Sequence, residues 1–150
     1  TLVLSRANEH TGGTVVSGGT LQVSADAQLG GAAGTVTLQN GATLAWAAGG
    51  TPQSTGRAVV LGTGGGTLAV TGTLAATGAL SGSGPLTKAG SGTLTLSGVN
   101  TFTGATRVSA GTLKSGAAAV LHDVAERIPR RGLVLLAVKL WQLRTPSQPR

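Results

Sequence analysis

One feature constrains this chain above all others: its first 22 residues return near position 100. Thr1–Gln22 reads TLVLSRANEHTGGTVVSGGTLQ, and Thr93–Lys114 reads TLTLSGVNTFTGATRVSAGTLK. The two align without a gap at an offset of 92, and 13 of the 22 positions are identical. Shared Gly and Thr can follow from compositional bias. The shared Leu2/Leu94, Asn8/Asn100 and Val16/Val108 are harder to assign to it. A finer period runs inside this one. Thr-Leu pairs place Leu at 2, 21, 44, 68, 94 and 113, in steps of 19, 23, 24, 26 and 19. The first four steps together span the offset of 92, so the large repeat reads as four small units. Leu74 and Leu86 fall off this register, between 68 and 94.

Each unit alternates. Leu94 and Leu96 share one face against Thr93 and Thr95, and Leu68 and Val70 share one against Thr67 and Ala69. Period-two alternation over a few residues predicts short strands with one buried face. Thr and Val suit strands, whereas Gly, Asn and Ser bound them as turns. No 3.6-residue stripe runs through the first 114 residues. Gly accounts for 26 of 150 residues, far above the ordinary ~7 %. Apolar residues still make up 40 %, too many for ordinary disorder, and aromatics only 2 %. A core of Leu, Val and Ala without aromatics calls for many thin repeated layers. Strands returning every ~20–25 residues without intervening helices predict an all-β parallel β-helix of about five coils. A sandwich of hairpins is the rival, but it spaces strands by about 8–12 residues and does not explain the returning Leu.

The run from Gly84 to Leu113, GPLTKAGSGTLTLSGVNTFTGATRVSAGTL, resembles the passenger-associated transport repeat of Gram-negative autotransporters. The elements that carry the resemblance are Leu-Thr-Lys-x-Gly-x-Gly-Thr-Leu, Asn100-Thr-Phe-Thr-Gly104, and Val108 leading to Gly111-Thr-Leu113. The copy at 1–22 lacks the leading part and carries Glu9 and His10 where the copy at 84–114 has Thr101 and Phe102. The resemblance covers residues 1–116, with 22–83 as more variable coils. It implies a segment of a secreted passenger folded as a right-handed parallel β-helix. That passenger would be exported through its own C-terminal β-barrel translocator, which is absent from this chain, and held at the cell surface or outer membrane or secreted. The family repeat carries no catalytic residues, so none transfer. The function expected is a non-catalytic stalk or scaffold that aids export and folding. The alternative is an adhesin module whose loop at 49–57 contacts host glycans or matrix.

Little chemistry remains to be placed. Net charge is +7, yet residues 1–114 carry only five scattered Lys or Arg against Glu9 and Asp26. Nucleic-acid binding needs clustered cations, so it is not expected. Residues 27–114 hold no acid, which removes the Ca²⁺-dependent polysaccharide-cleaving chemistry that some β-helices perform. His10 with Asp26 and one of many Ser would compose a triad on paper. The plainer reading sets His10 at a solvated turn in place of Phe102. Gly62-x-Gly64, Gly82-x-Gly84 and Gly90-x-Gly92 lack the continuation of a phosphate loop and read as corners. Thr-x-Thr pairs at 35/37, 71/73, 93/95 and 101/103 stand at unequal distances from the recurring Leu, which argues against a flat ice-binding array. Trp46 and Phe102 are too isolated for a stacking platform. There is no Cys, hence no disulfide or thiolate ligand. The sequence thus predicts no catalytic, cofactor-binding or metal-ligating residue. Starting at Thr1, it reads as a piece of a longer frame whose signal peptide lies outside it.

The pattern stops near Ser115. Residues 117–150 hold one Gly, six Lys or Arg and the apolar run Leu133–Val138, which is far too short to span a membrane. Helical turns over Val120–Ile128 and Gly132–Leu143 are one reading. A disordered tail, or the product of out-of-frame translation of GC-rich DNA, is another.

Overall fold

The computed structural model describes residues 1–116 and the pair Val124–Ala125. The chain winds as stacked coils. The first holds β1 (Leu2–Val3) and β2 (Thr14–Val16). The second holds β3 (Thr20–Val23), a 3₁₀ turn at Asp26–Leu29, and β4 (Val36–Leu38). The third holds β5 (Ala42–Trp46), β6 (Gln53–Thr55) and β7 (Val59–Leu61). The fourth holds β8 (Gly66–Val70), β9 (Thr73–Ala76) and β10 (Leu80–Gly82). The fifth holds β11 (Leu86–Ala89) and β12 (Thr93–Leu96). A sixth opens with β13 (Thr106–Val108) and β14 (Thr112–Ser115), and β15 (Val124–Ala125) follows.

Each strand pairs in parallel with its counterpart one coil away, which builds three sheets. One runs β1-β3-β5-β8-β11-β13-β15, another β10-β7-β4-β2, and the last β14-β12-β9-β6. This is the parallel β-solenoid that the repeat predicts. Because side chains alternate along a strand, every second residue enters the interior. The interior is a stack of Leu and Val in register. Leu21 sits on Leu44 and Leu44 on Leu68. In another sheet Leu74 sits on Leu94 and Leu94 on Leu113. Val36, Val59 and Leu80 stack in the sheet between. Trp46 and Phe102 are both buried in this core.

The register corrects the period read from the sequence. The series Leu2, 21, 44, 68, 94, 113 is two ladders on different sheets. Leu68 pairs with Lys88, not with Leu94. Leu94 pairs with Leu74 and Leu113. The step of 26 from Leu68 to Leu94 is therefore one coil plus one side. The offset of 92 is likewise four coils plus one side. The two copies of the motif occupy different faces. Leu2 lies in the seven-stranded sheet and Leu94 in the β6–β14 sheet, while Thr14 lies in the β2–β10 sheet and Thr106 in the seven-stranded one.

Val124 and Ala125 pair with Thr106 and Arg107 as strand, where the sequence reading sets a helical turn. The open edge of β13 offers a row of unpaired backbone groups, and pairing with it outweighs a weak local helical pattern. The rest of the tail, and with it the helical, disordered and out-of-frame readings, lies outside the described residues.

Candidate functional site

The polar groups of the interior come first, because only they have restricted chemistry. Arg57 is 3 % exposed. Its Nε donates to Asp26 Oδ1 at 2.9 Å. Nη1 donates to the carbonyls of Leu29, Gly31 and Gly34. Nη2 donates to those of Asp26 and Gly30, at 3.0 and 2.6 Å. The guanidinium thus closes the corner of the second coil from the third. Asp26 Oδ1 also accepts from Thr55 Oγ1 at 2.6 Å. The carboxylate is committed to this pin.

His10 stands apart from that pair. It is exposed, and its polar contact is Thr14 Oγ1 at 3.3 Å from Nε2. The structure therefore gives His10 a hydroxyl where the triad on paper needs Asp26. Its ring packs beside Gly30, where an added Cβ would stand 2.6 Å from Nε2 and where φ is +83°. Phe102, at the equivalent motif position, is buried instead. His10 lies in the first of the described coils, and Phe102 lies between the fifth and sixth.

Lys88 is fully buried in the ladder between Leu68 and Val108. Its Nζ donates to the carbonyls of Ala89, Gly90 and Ala110 at 2.6, 2.9 and 3.2 Å. The ammonium ties a corner of the fifth coil to one of the sixth. Burial lowers its pKa from 10.5 to about 8. The three carbonyls oppose that shift, since they stabilise the charged form. Sequence reading counted Arg57 and Lys88 only as charges. Their signal is an isolated cation in an otherwise uncharged strand pattern, at an inward position.

Of the motif asparagines, Asn100 is buried and Asn8 is half-buried. Asn8 Nδ2 donates to Gln28 O, one coil above, at 2.6 Å. Asn100 Oδ1 accepts from Leu80 N, one coil below, at 3.0 Å. Asn100 Nδ2, Thr106 Oγ1 and Trp46 Nε1 are buried and have no hydrogen-bond partner among the described residues.

The outer face of the seven-stranded sheet is the most regular surface. Thr20, Thr43, Thr67 and Thr87 form one row in register. Gln22, Ala45, Ala69 and Ala89 form the next. Arg107 ends the Thr row. The Thr-x-Thr pairs make no such array: these threonines are followed by Ala or Gln two residues on. In the loop at 49–57, Gly49–Pro52, Ser54 and Gly56 are exposed, whereas Thr55 and Arg57 turn inward. Among the described residues, no three His, Cys, Asp or Glu gather as a metal site. None of the described helices is long and apolar enough to cross a membrane.

A parallel β-solenoid whose buried ions pin its own corners belongs to the class of repeat folds. Comparison with known proteins shows what the chain is similar to. The passenger-associated-transport-repeat family model matches residues 1–23 and 86–114. The chain is also 46 % identical over 68 residues to the adhesin BmaC autotransporter of Brucella suis biovar 1 (strain 1330). That stretch is 45 % of this chain and 2 % of the relative. No solved structure matches. The passenger-associated transport repeat is thus matched at two places in this chain, and over 68 residues the chain is similar to an autotransporter adhesin.

Proposed function

We propose that the chain serves as a non-catalytic solenoid segment of an autotransporter passenger, displayed at the surface of a Gram-negative cell. The observation that carries this reading is the coincidence of both family repeats with an unbroken coil stack whose buried charged groups are engaged in holding that stack. Asp26 is bound by Arg57 and Thr55, and His10 has a hydroxyl for its partner. The partner is the passenger's own C-terminal β-barrel, through which an extended chain would pass. Each coil that emerges can pair with the exposed edge of the coil before it, and stability accrues coil by coil. Folding outside the cell would then oppose return of the chain and aid export.

The test is display. In the parent autotransporter, an epitope placed beyond the segment is followed by antibody on intact cells. Deleting residues 1–116 is expected to lower the displayed epitope while total protein is unchanged. Unchanged display contradicts an export role, and hydrolysis of a polysaccharide by the purified chain contradicts the non-catalytic one.

A second reading is a binding module. It is favoured by the adhesin name of the relative and by the exposed loop tip at Gly49–Pro52. Binding of the purified chain to immobilised glycans or matrix proteins, lost when residues 49–52 are deleted, would support it.

A further inference from the structure

The corner at Asp26–Gly34 directs its backbone dipoles at one point. The carbonyls of Asp26, Leu29, Gly30, Gly31 and Gly34 all accept from the guanidinium of Arg57. Asp26 Oδ1 completes the ring at 2.9 Å and is held in turn by Thr55 Oγ1. The amides of the same corner are used elsewhere. Gly31 N donates to His10 O at 2.8 Å, and Gly34 N donates to Gly31 O at 2.9 Å. The lining around Arg57 is therefore made of acceptors. Such a lining suits a cation that only donates, and a guanidinium is a planar fork of N–H donors with no acceptor. An ammonium is a compact point charge that cannot reach so wide a ring.

Glycine lets the backbone close this tightly. Gly30 has φ +83°, and a Cβ there would stand 2.5 Å from His10 O. A Cβ on Gly34 would stand 3.4 Å from Arg57 Nη1.

One coil builds the cage and another fills it. Asp26–Gly34 belongs to the second coil, and Arg57 arrives from the third, 23 to 31 residues further along. Carbonyl dipoles aimed at one point repel one another, and the Asp26 carboxylate adds to that repulsion. The closed corner thus needs a cation at its centre. Arg57 is 3 % exposed, whereas the Asp26 side chain is 28 % exposed, so one wall of the cage meets solvent.

We propose that Asp26–Gly34 is a guanidinium-binding site in its own right, and that the third coil docks on the second as its ligand. Occupation by Arg57 closes the corner, and its release opens it. The site selects by shape as well as charge. It takes alkylguanidinium ions and discriminates against ammonium ions, which share the charge, and against urea, which shares the planar form.

Chemical rescue tests this. Arg57→Ala removes a fragment that ethylguanidinium replaces atom for atom. Thermal unfolding of the full-length variant is followed with rising ethylguanidinium, ethylammonium or urea at constant ionic strength. Ethylguanidinium should raise the variant's melting temperature with the logarithm of its concentration and should not raise that of the parent chain. It should bind at least about tenfold more tightly than ethylammonium, and urea should give no rise. No rise with ethylguanidinium, or an equal rise with ethylammonium, overturns the proposal. Should the variant fail to fold, hydrogen exchange of the parent chain decides. The amides of Gly31 and Gly34 and the Nε–H of Arg57 should show equal protection once intrinsic rates are removed, because one opening exposes all three. Unequal protection means that the corner opens around a bound Arg57, or that Arg57 leaves a closed corner, and either result overturns the proposal.

Discussion

At the scale of single residues, the fold rests on two cations that do no surface work. Arg57 closes a corner with five carbonyl contacts and one carboxylate. Removing one partner of a buried ionic cluster costs about 3–5 kcal/mol, because the remaining groups stay buried and unpaired. Arg57→Ala is therefore expected to lower denaturant stability by that amount. Arg57→Lys should recover only a small part, since an ammonium lacks the planar fork that reaches several carbonyls at once. Lys88 gives a pH signature. Its folded pKa is about 8, below the 10.5 of the unfolded chain. Between those values the unfolded chain holds a proton that the folded chain has released, so stability rises with pH. Below about pH 8 both states are protonated and the penalty is constant. Melting temperature should climb from pH 8 to 10 in the parent chain, and that climb should vanish in Lys88→Met. A flat profile in the parent chain would contradict the buried placement.

At the scale of the strand and coil, position in the stack sets the energy of equivalent residues. Leu2 and Leu94 hold the same place in the motif. Leu94 is fully buried between Leu74 and Leu113, whereas Leu2 is 62 % exposed. Leu94→Ala should cost about 2–5 kcal/mol through lost burial and a cavity. Leu2→Ala should cost less than about 0.5 kcal/mol, as an exposed substitution does. Equal losses by chemical denaturation would contradict the stack. Alternation and the returning Leu made the strands and the solenoid legible in the sequence, because side-chain period depends only on the backbone. The assignment of faces was not legible. Spacing alone does not tell one coil of 26 from one coil of 20 plus a side of 6, so Leu68 and Leu94 looked like neighbours. The Thr ladder on the seven-stranded sheet was hidden for the same reason. Arg57 and Lys88 were hidden because a cation at an inward position looks like any surface charge until the register is known.

At the scale of the whole molecule, the described coils stack about one core fed by three sheets, and nearest-neighbour energetics are expected of such a stack. Its interior polar groups join coil to coil, and its outer face of Thr and Ala is uncharged over four strands. The central claim is that the coils stack in the described register, with the repeated motif turned by one face between its two copies. The chain has no Cys, so pairs of cysteines can carry nitroxide labels without background. Thr73 and Thr93 are register partners, and so are Thr67 and Thr87. Adjacent strands lie ~4.8 Å apart, close enough for strong dipolar broadening. Labels at 73 and 93 should broaden each other's spectrum, and labels at 67 and 93 should not. Broadening at 67/93 with none at 73/93 would restore a single Leu ladder and contradict this architecture.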